Sequence, residues 1–563
     1  MNHAFLRRAA LAAISVFAPS FLSGQRAIPP SADLIVTNAR IYTVDDSHPF
    51  VEALAVRDGK VQFVGSAREA LLLKGPSTRV LDAGGHTVIP GMVDAHAHLF
   101  ELGTFLHNID LRDTRSYDQV VARMAERVKQ MKPGQWVEGR AWDQNKWGDT
   151  RFPTHEALTR VSPNNPVVLT RVDGHAILVN AAAMRAANIT AATKDPAGGR
   201  IEHDAKGDPT GVFVDNAMSL IDRVIPPLSH EEMVAAALDA IKESNKFGLT
   251  GVHDPGEPRN VLDLFEELAK ANNFSLRVYA MIADDSAAID HYFQRGPQSA
   301  LYDNHLWIRA IKLYADGALG SRGAALLDPY TDDPKNMGLL KSTPEHLRDV
   351  ATRALQHGFQ VATHAIGDRG NRIALDAYEA ALKAVPTTDH RFRIEHVQIL
   401  DHADIPRFAQ LGIIPSMQAV HQTSDMYWAS NRLGYARTLG AYAWRSLLNT
   451  GVIIPNGSDF PVERVSPLYS FHAAVSRQDD NNWPPGGWFP EQAMTREEAL
   501  KGMTIWPAYA AFQEQILGSL TPGKLADFVI LDRDIMSVPA SDILGTSVLA
   551  TYIGGRAVYE RSR

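Results

Sequence analysis

Eight short apolar segments recur through the middle of the chain: TVIPGMVDA, LTGVHD, SLRVYAMI, IRAIKLYA, QVATHA, FRIEHV, GIIPSM and GVIIPNGSD. Many of them are separated by stretches such as EEMVAAALDAIKESNKFG, VLDLFEELAKANN, EHLRDVATRALQHG and IALDAYEAALKAV, in which apolar residues return at helical spacing. Strands that alternate with helices in this way build a parallel sheet. Eight such units predict an α/β chain folded as a closed (β/α)8 TIM barrel over residues 88–514, with its chemistry at the C-terminal ends of the strands. One interval breaks the rhythm. Between strands one and two, residues 107–227 hold WVEGRAWDQNKW, VVLTRVDGHAILVN and GDPTGVFVD, far more than one helix needs. An inserted subdomain with β-structure of its own is expected there, and an insertion beside a barrel mouth often shapes the pocket.

The two ends of the chain share a pattern. In ALAVRDGKVQFVG, Asp58-Gly59 separates two β-rich runs, and Gly554-Gly555 does the same in VLATYIGGRAVYE; both are two-residue hairpin signals. A hairpin alone is marginal, so residues 31–87 and 515–563 are expected to share one composite β-sandwich domain. Ahead of it, MNHAFLRR is basic and AALAAISVFAPSFL is apolar, followed by Ser23-Gly24. That order predicts a bacterial-type signal peptide over residues 1–25 and a periplasmic or secreted product. The apolar run is interrupted by Pro19 and is shorter than the roughly 20 residues a bilayer span needs. No stable membrane span is therefore expected after cleavage.

Composition narrows the chemistry. The chain has no cysteine, which removes disulfides, thiolate nucleophiles and cysteine-ligated zinc. Its net charge of −8 is spread without long blocks, so no nucleic-acid footprint is expected. Any metal must use histidine or carboxylate, and 21 histidines are available. In VDAHAHLF, His96 and His98 are separated by one small residue; on a strand, positions i and i+2 share a face. Alone this is a weak signal that two solvated loop histidines explain equally well. Yet Lys312 lies on strand four, and His364, His396 and Asp459 fall at the ends of strands five, six and eight. Each has a plain structural explanation singly, a helix cap or a loop turn. Together they sit where a barrel gathers its catalytic groups.

GMVDAHAHL, IKLYADGALGSRGAAL, THAIGD, IEHVQ, GSDFPV and GSLTPGKLADFVILD resemble the metal-dependent amidohydrolase superfamily, in particular its YtcJ-like branch, amidohydrolase family 3. The resemblance spans nearly all of the chain after the N-terminal segment. It implies a (β/α)8 barrel with a composite β-sandwich, and an insertion of the kind expected above. It also implies a binuclear zinc site, with His96 and His98 on the more buried ion and His364 and His396 on the more exposed one. Lys312, carboxylated to a carbamate, would bridge the two ions. Asp459 would ligate the buried metal and handle protons. A single zinc ion is the rival, as is a Lys312 that merely pairs with a carboxylate such as Asp316.

A metal lowers the pKa of bound water. The expected reaction is thus hydrolysis of an amide-type C–N bond, on an N-acyl, N-formyl or aryl amide, by metal-bound hydroxide with Asp459 as proton carrier. Isomerase or lactonase chemistry on the same barrel is the alternative, and a non-catalytic binding protein is a third reading. Trp142, Asp173, Gly174 and His175 are candidate pocket residues, with His175 holding the substrate carbonyl; packing inside the insertion would equally explain Trp142, and a turn role His175. Tyr314, Asp316, Arg322 and Arg369 are candidate binders of a polar tail, and Phe460 and Trp428 an apolar wall. The expected partner is a small-molecule amide, with homo-oligomerisation left open.

Overall fold

In the computed structural model, which describes residues 30–562, eight parallel strands run through the interior. They are β1 (Met92–Asp94), β2 (Leu249–Glu257), β3 (Arg277–Ile282), β4 (Leu306–Tyr314), β5 (Gln360–Ala365), β6 (Arg393–His396), β7 (Ile414–Gln418) and β8 (Asn456–Gly457). Each pairs in parallel with the next. Ala95 N–H donates to the Asn456 carbonyl at 3.3 Å and Asp459 N–H to the His96 carbonyl at 2.7 Å, drawing β8 back to β1 in a nearly closed barrel. Every residue of β3, β5, β6 and β7 is buried. That is why β3 and much of β7 read as apolar runs rather than alternating ones, while β6 buries Arg393, Glu395 and His396. The intervening helices carry their own start and stop signals. In Pro344–His357, Thr343 caps the first turn, proline opens the helix and a left-handed Gly358 ends it, as helix termini favour.

Strands from both ends of the chain share a six-stranded sheet, in which Thr87–Pro90 runs between Arg40–Tyr42 and Phe528–Leu531. A four-stranded sheet from the first end packs on it through Leu34, Val36, Leu54, Phe528, Ile530 and Tyr552. Asp58-Gly59 and Gly554-Gly555 are both left-handed two-residue turns, the backbone that a tight hairpin requires. Strands between residues 109 and 215 build a separate six-stranded sheet with an apolar cluster on each face. Residues 1–25, where the signal peptide is expected, lie outside the described residues. Among the described residues no helix is long and apolar enough to cross a membrane.

Candidate metal centre and cleft

His96 and His98 are not on β1 but in the bend just after it, His98 at the start of the helix Leu99–His107. Their convergence owes more to that bend than to strand alternation. The His98 N–H donates to the Phe460 carbonyl at 2.8 Å, which anchors the bend to the end of β8. Beneath it lies a buried polar relay. His96 Nδ1 is 2.5 Å from Glu395 Oε2. Arg393 grips Glu395 through Nε at 2.7 Å and Nη2 at 3.0 Å, and also donates to Ser416 Oγ, the Ala95 carbonyl and His253 Nδ1. With Glu395 accepting the Nδ1 proton, the Nε2 lone pair of His96 is free to ligate. His396 is fixed likewise: Nδ1 is 2.8 Å from Gln418 Oε1, and the Gln418 amide N–H donates to the Ser416 carbonyl. His364 stacks edge-on to His396, 4.6 Å between ring centres, and 5.0 Å from His175. Burial pushes His96, His364 and His396 well below the usual imidazole range, so each is in the neutral form a metal requires.

The site is open on one side. Asp459 Oδ1, 3.2 Å from His98 Nε2 and 3.5 Å from His96 Nε2, has no well-formed hydrogen bond although buried. Neither has His421 Nε2, 3.6 Å from Asp459 Oδ2. Burial alone would raise Asp459, but the His98 imidazole beside it holds it below the usual carboxylate range. Ligand atoms of His96, His98 and Asp459 lie within 4.8 Å of one another, as do those of His396, His421 and Asp459. Orphaned nitrogen and oxygen donors at such spacing fit a divalent cation. Lys312 Nζ is 3.3 Å from His96 Nε2, and burial lowers its pKa to about 8. It does not pair with Asp316.

The centre opens into a cleft whose lining includes Asp173, His175, His364, His396, His421, Trp428 and Asp459. Left-handed Gly174 turns the hairpin that carries Asp173 and His175 over the opening. Several residues predicted for the pocket are elsewhere. Trp142 is fully buried in the insertion, where it stacks on Trp147 and donates to the Leu169 carbonyl. Asp316 is fully buried too: its oxygens accept the N–H groups of Ala325, Ile366 and Gly367, tying the loops after β4 and β5 together and leaving nothing for a substrate. Arg322 pairs with Asp332, Phe460 is enclosed, and neither they nor Arg369 line the cleft. Tyr314 stands behind the centre, its ring 5.7 Å from that of His364. Sequence reasoning passed over His421, Glu395 and Asp215. A histidine three residues past β7 was the one visible signal for His421.

A barrel with an open cluster of histidine and carboxylate donors at its strand ends defines a metal-dependent hydrolase. The chain belongs to the amidohydrolase family, whose family model matches residues 79–559. It is 36% identical to protein LONG AFTER FAR-RED 3 of Arabidopsis thaliana, over 94% of this chain and 93% of that one. It is 33% identical to YtcJ of Bacillus subtilis, over 93% and 98%. An N-substituted formamide deformylase of Arthrobacter pascens is 29% identical over 94% and 99%. A solved metal-dependent hydrolase from Pyrococcus horikoshii, itself uncharacterized, superposes with a TM-score of 0.73 at 28% identity, covering 90% of this chain and 99% of its own.

Proposed function

We propose that the protein hydrolyses the C–N bond of a small N-acyl, N-formyl or aryl amide. The observation that carries this reading is the orphaned Asp459 carboxylate, set between His96, His98 and His421 at the base of an open cleft. The likeness to a formamide deformylase supports it. His96, His98, Asp459, His364 and His396 would hold two zinc ions, with a carboxylated Lys312 between them. The lowered Lys312 pKa favours that reading, since a neutral amine is the form that adds carbon dioxide. When bound, the metal supplies Lewis acidity and water of lowered pKa. Asp459 takes the proton from the attacking water and returns it to the leaving nitrogen, while the Glu395–Arg393 relay keeps His96 in its ligating tautomer. The basic and apolar start of the chain supports export to the periplasm or beyond. Mass analysis of products from metal-loaded protein with formamides, N-acyl amino acids, aryl amides and lactones tests the reaction. Two products that together carry one added water from amides sustain it; turnover confined to lactones, or a product of unchanged mass, replaces it with the lactonase or isomerase reading.

A further inference from the structure

We infer that His175, oriented by Asp215, accepts the N–H of the bound amide, so that the cleft selects secondary amides over tertiary ones; this rests on the amide-hydrolase reading and specifies its substrate. His175 Nδ1 lies 2.6 Å from Asp215 Oδ1. A carboxylate can only accept there, so Nδ1 carries a proton, and in the neutral ring the Nε2 lone pair is left over. His175 lines the cleft beside His364. Its lone pair is therefore an acceptor held ready at the cleft wall. The holder is itself built with care. Asp215 is fully enclosed, in a left-handed backbone conformation uncommon for a non-glycine residue. A Cβ at Gly317 or at Gly323 would collide with Asp215 Oδ2, so both glycines of the loop after β4 make room for it. This carboxylate comes from the insertion and is plugged into the barrel mouth. Arg171, at the end of a strand of the same sheet, donates to Gln144, Asp143 and Asp173. A tertiary amide brings no N–H to Nε2 and places an alkyl group against it.

The test compares kcat/KM for a matched pair, an N-alkyl and an N,N-dialkyl amide of the same acyl group, in metal-loaded protein. Wild type is expected to favour the secondary amide by about 10- to 100-fold, the range set by one buried hydrogen bond. His175→Phe should erase that preference by losing activity on the secondary amide alone. His175→Gln, whose carbonyl can accept, should restore part of it, with metal content equal in all three proteins. Nitrogen-15 spectra of histidine-labelled protein, assigned with the variants, should place the His175 proton on Nδ1. Equal loss on both amides in His175→Phe, or a proton on Nε2, overturns the inference while leaving amide hydrolysis standing. A wild type that hydrolyses no amide overturns the proposed function, and this inference with it.

Discussion

Beneath the candidate metal centre, Arg393, Glu395 and Ser416 come from neighbouring barrel strands and satisfy one another almost completely. Across the cleft, His175, Asp215 and Arg171 come from a sheet with apolar clusters of its own. The floor gathers the atoms that would face a metal, while the wall sets an imidazole at the cleft and encloses the Asp215 carboxylate behind it. Chemistry and selectivity thus reside in separately packed parts of the molecule, and changes in one should spare the other.

The strongest test of the floor is Asp459→Asn. Turnover should fall by about 10²- to 10⁴-fold, the usual worth of a positioned proton carrier, while metal analysis shows most of the ion retained. Full activity would remove Asp459 from that role. Glu395→Gln should act on the ion instead, weakening metal affinity by about 10- to 100-fold, as titration against a competing chelator would reveal. If affinity is unchanged, His96 does not depend on the relay. On the other side, Trp142→Ala should cost about 3–5 kcal/mol of stability, read by denaturant unfolding, with metal content unaltered. Loss of metal in that variant would break the separation between floor and wall. The last expected effect, one of pH rather than of activity or metal, lies between the two parts. Burial raises Asp425 to about 8, far above the unfolded value near 4. The folded state therefore keeps a proton that the unfolded state has lost, and stability falls as pH rises between about 4 and 8. In Asp425→Asn that part of the slope should vanish from unfolding curves collected across the window.

The same division governs what could be read from the sequence. The barrel strands were legible because they are enclosed on both faces and so are rich in apolar residues along both, and a strand end is a place that can be counted along the chain. Lys312, His364 and His396 needed no more than that. Glu395 was hidden by strand alternation, which sends neighbouring residues to opposite faces; the left-handed φ of 75° at His396 turns that side chain back toward the centre. His421 sits in a helix, Ala419–Asp425, whose orientation depends on packing. Asp215 meets His175 only through the antiparallel register that pairs Ala176 with Val214, and no local pattern encodes a register. Trp142 and Asp316 misled for a related reason. A large aromatic or an acid near a strand end looks the same in sequence whether it faces a cleft or locks two loops together.

The shared terminal sheet bears on how the molecule comes into being. Val88 finds its partner in Ile530, at the opposite end of the chain, so the contact is among the least local in the fold and is slow to form. During synthesis the first strands must wait, their edge unpaired, until nearly the whole barrel has emerged. An unpaired apolar edge invites association with other chains. The final strands thus act as a closing seam, and the yield of soluble protein should depend on how quickly they arrive.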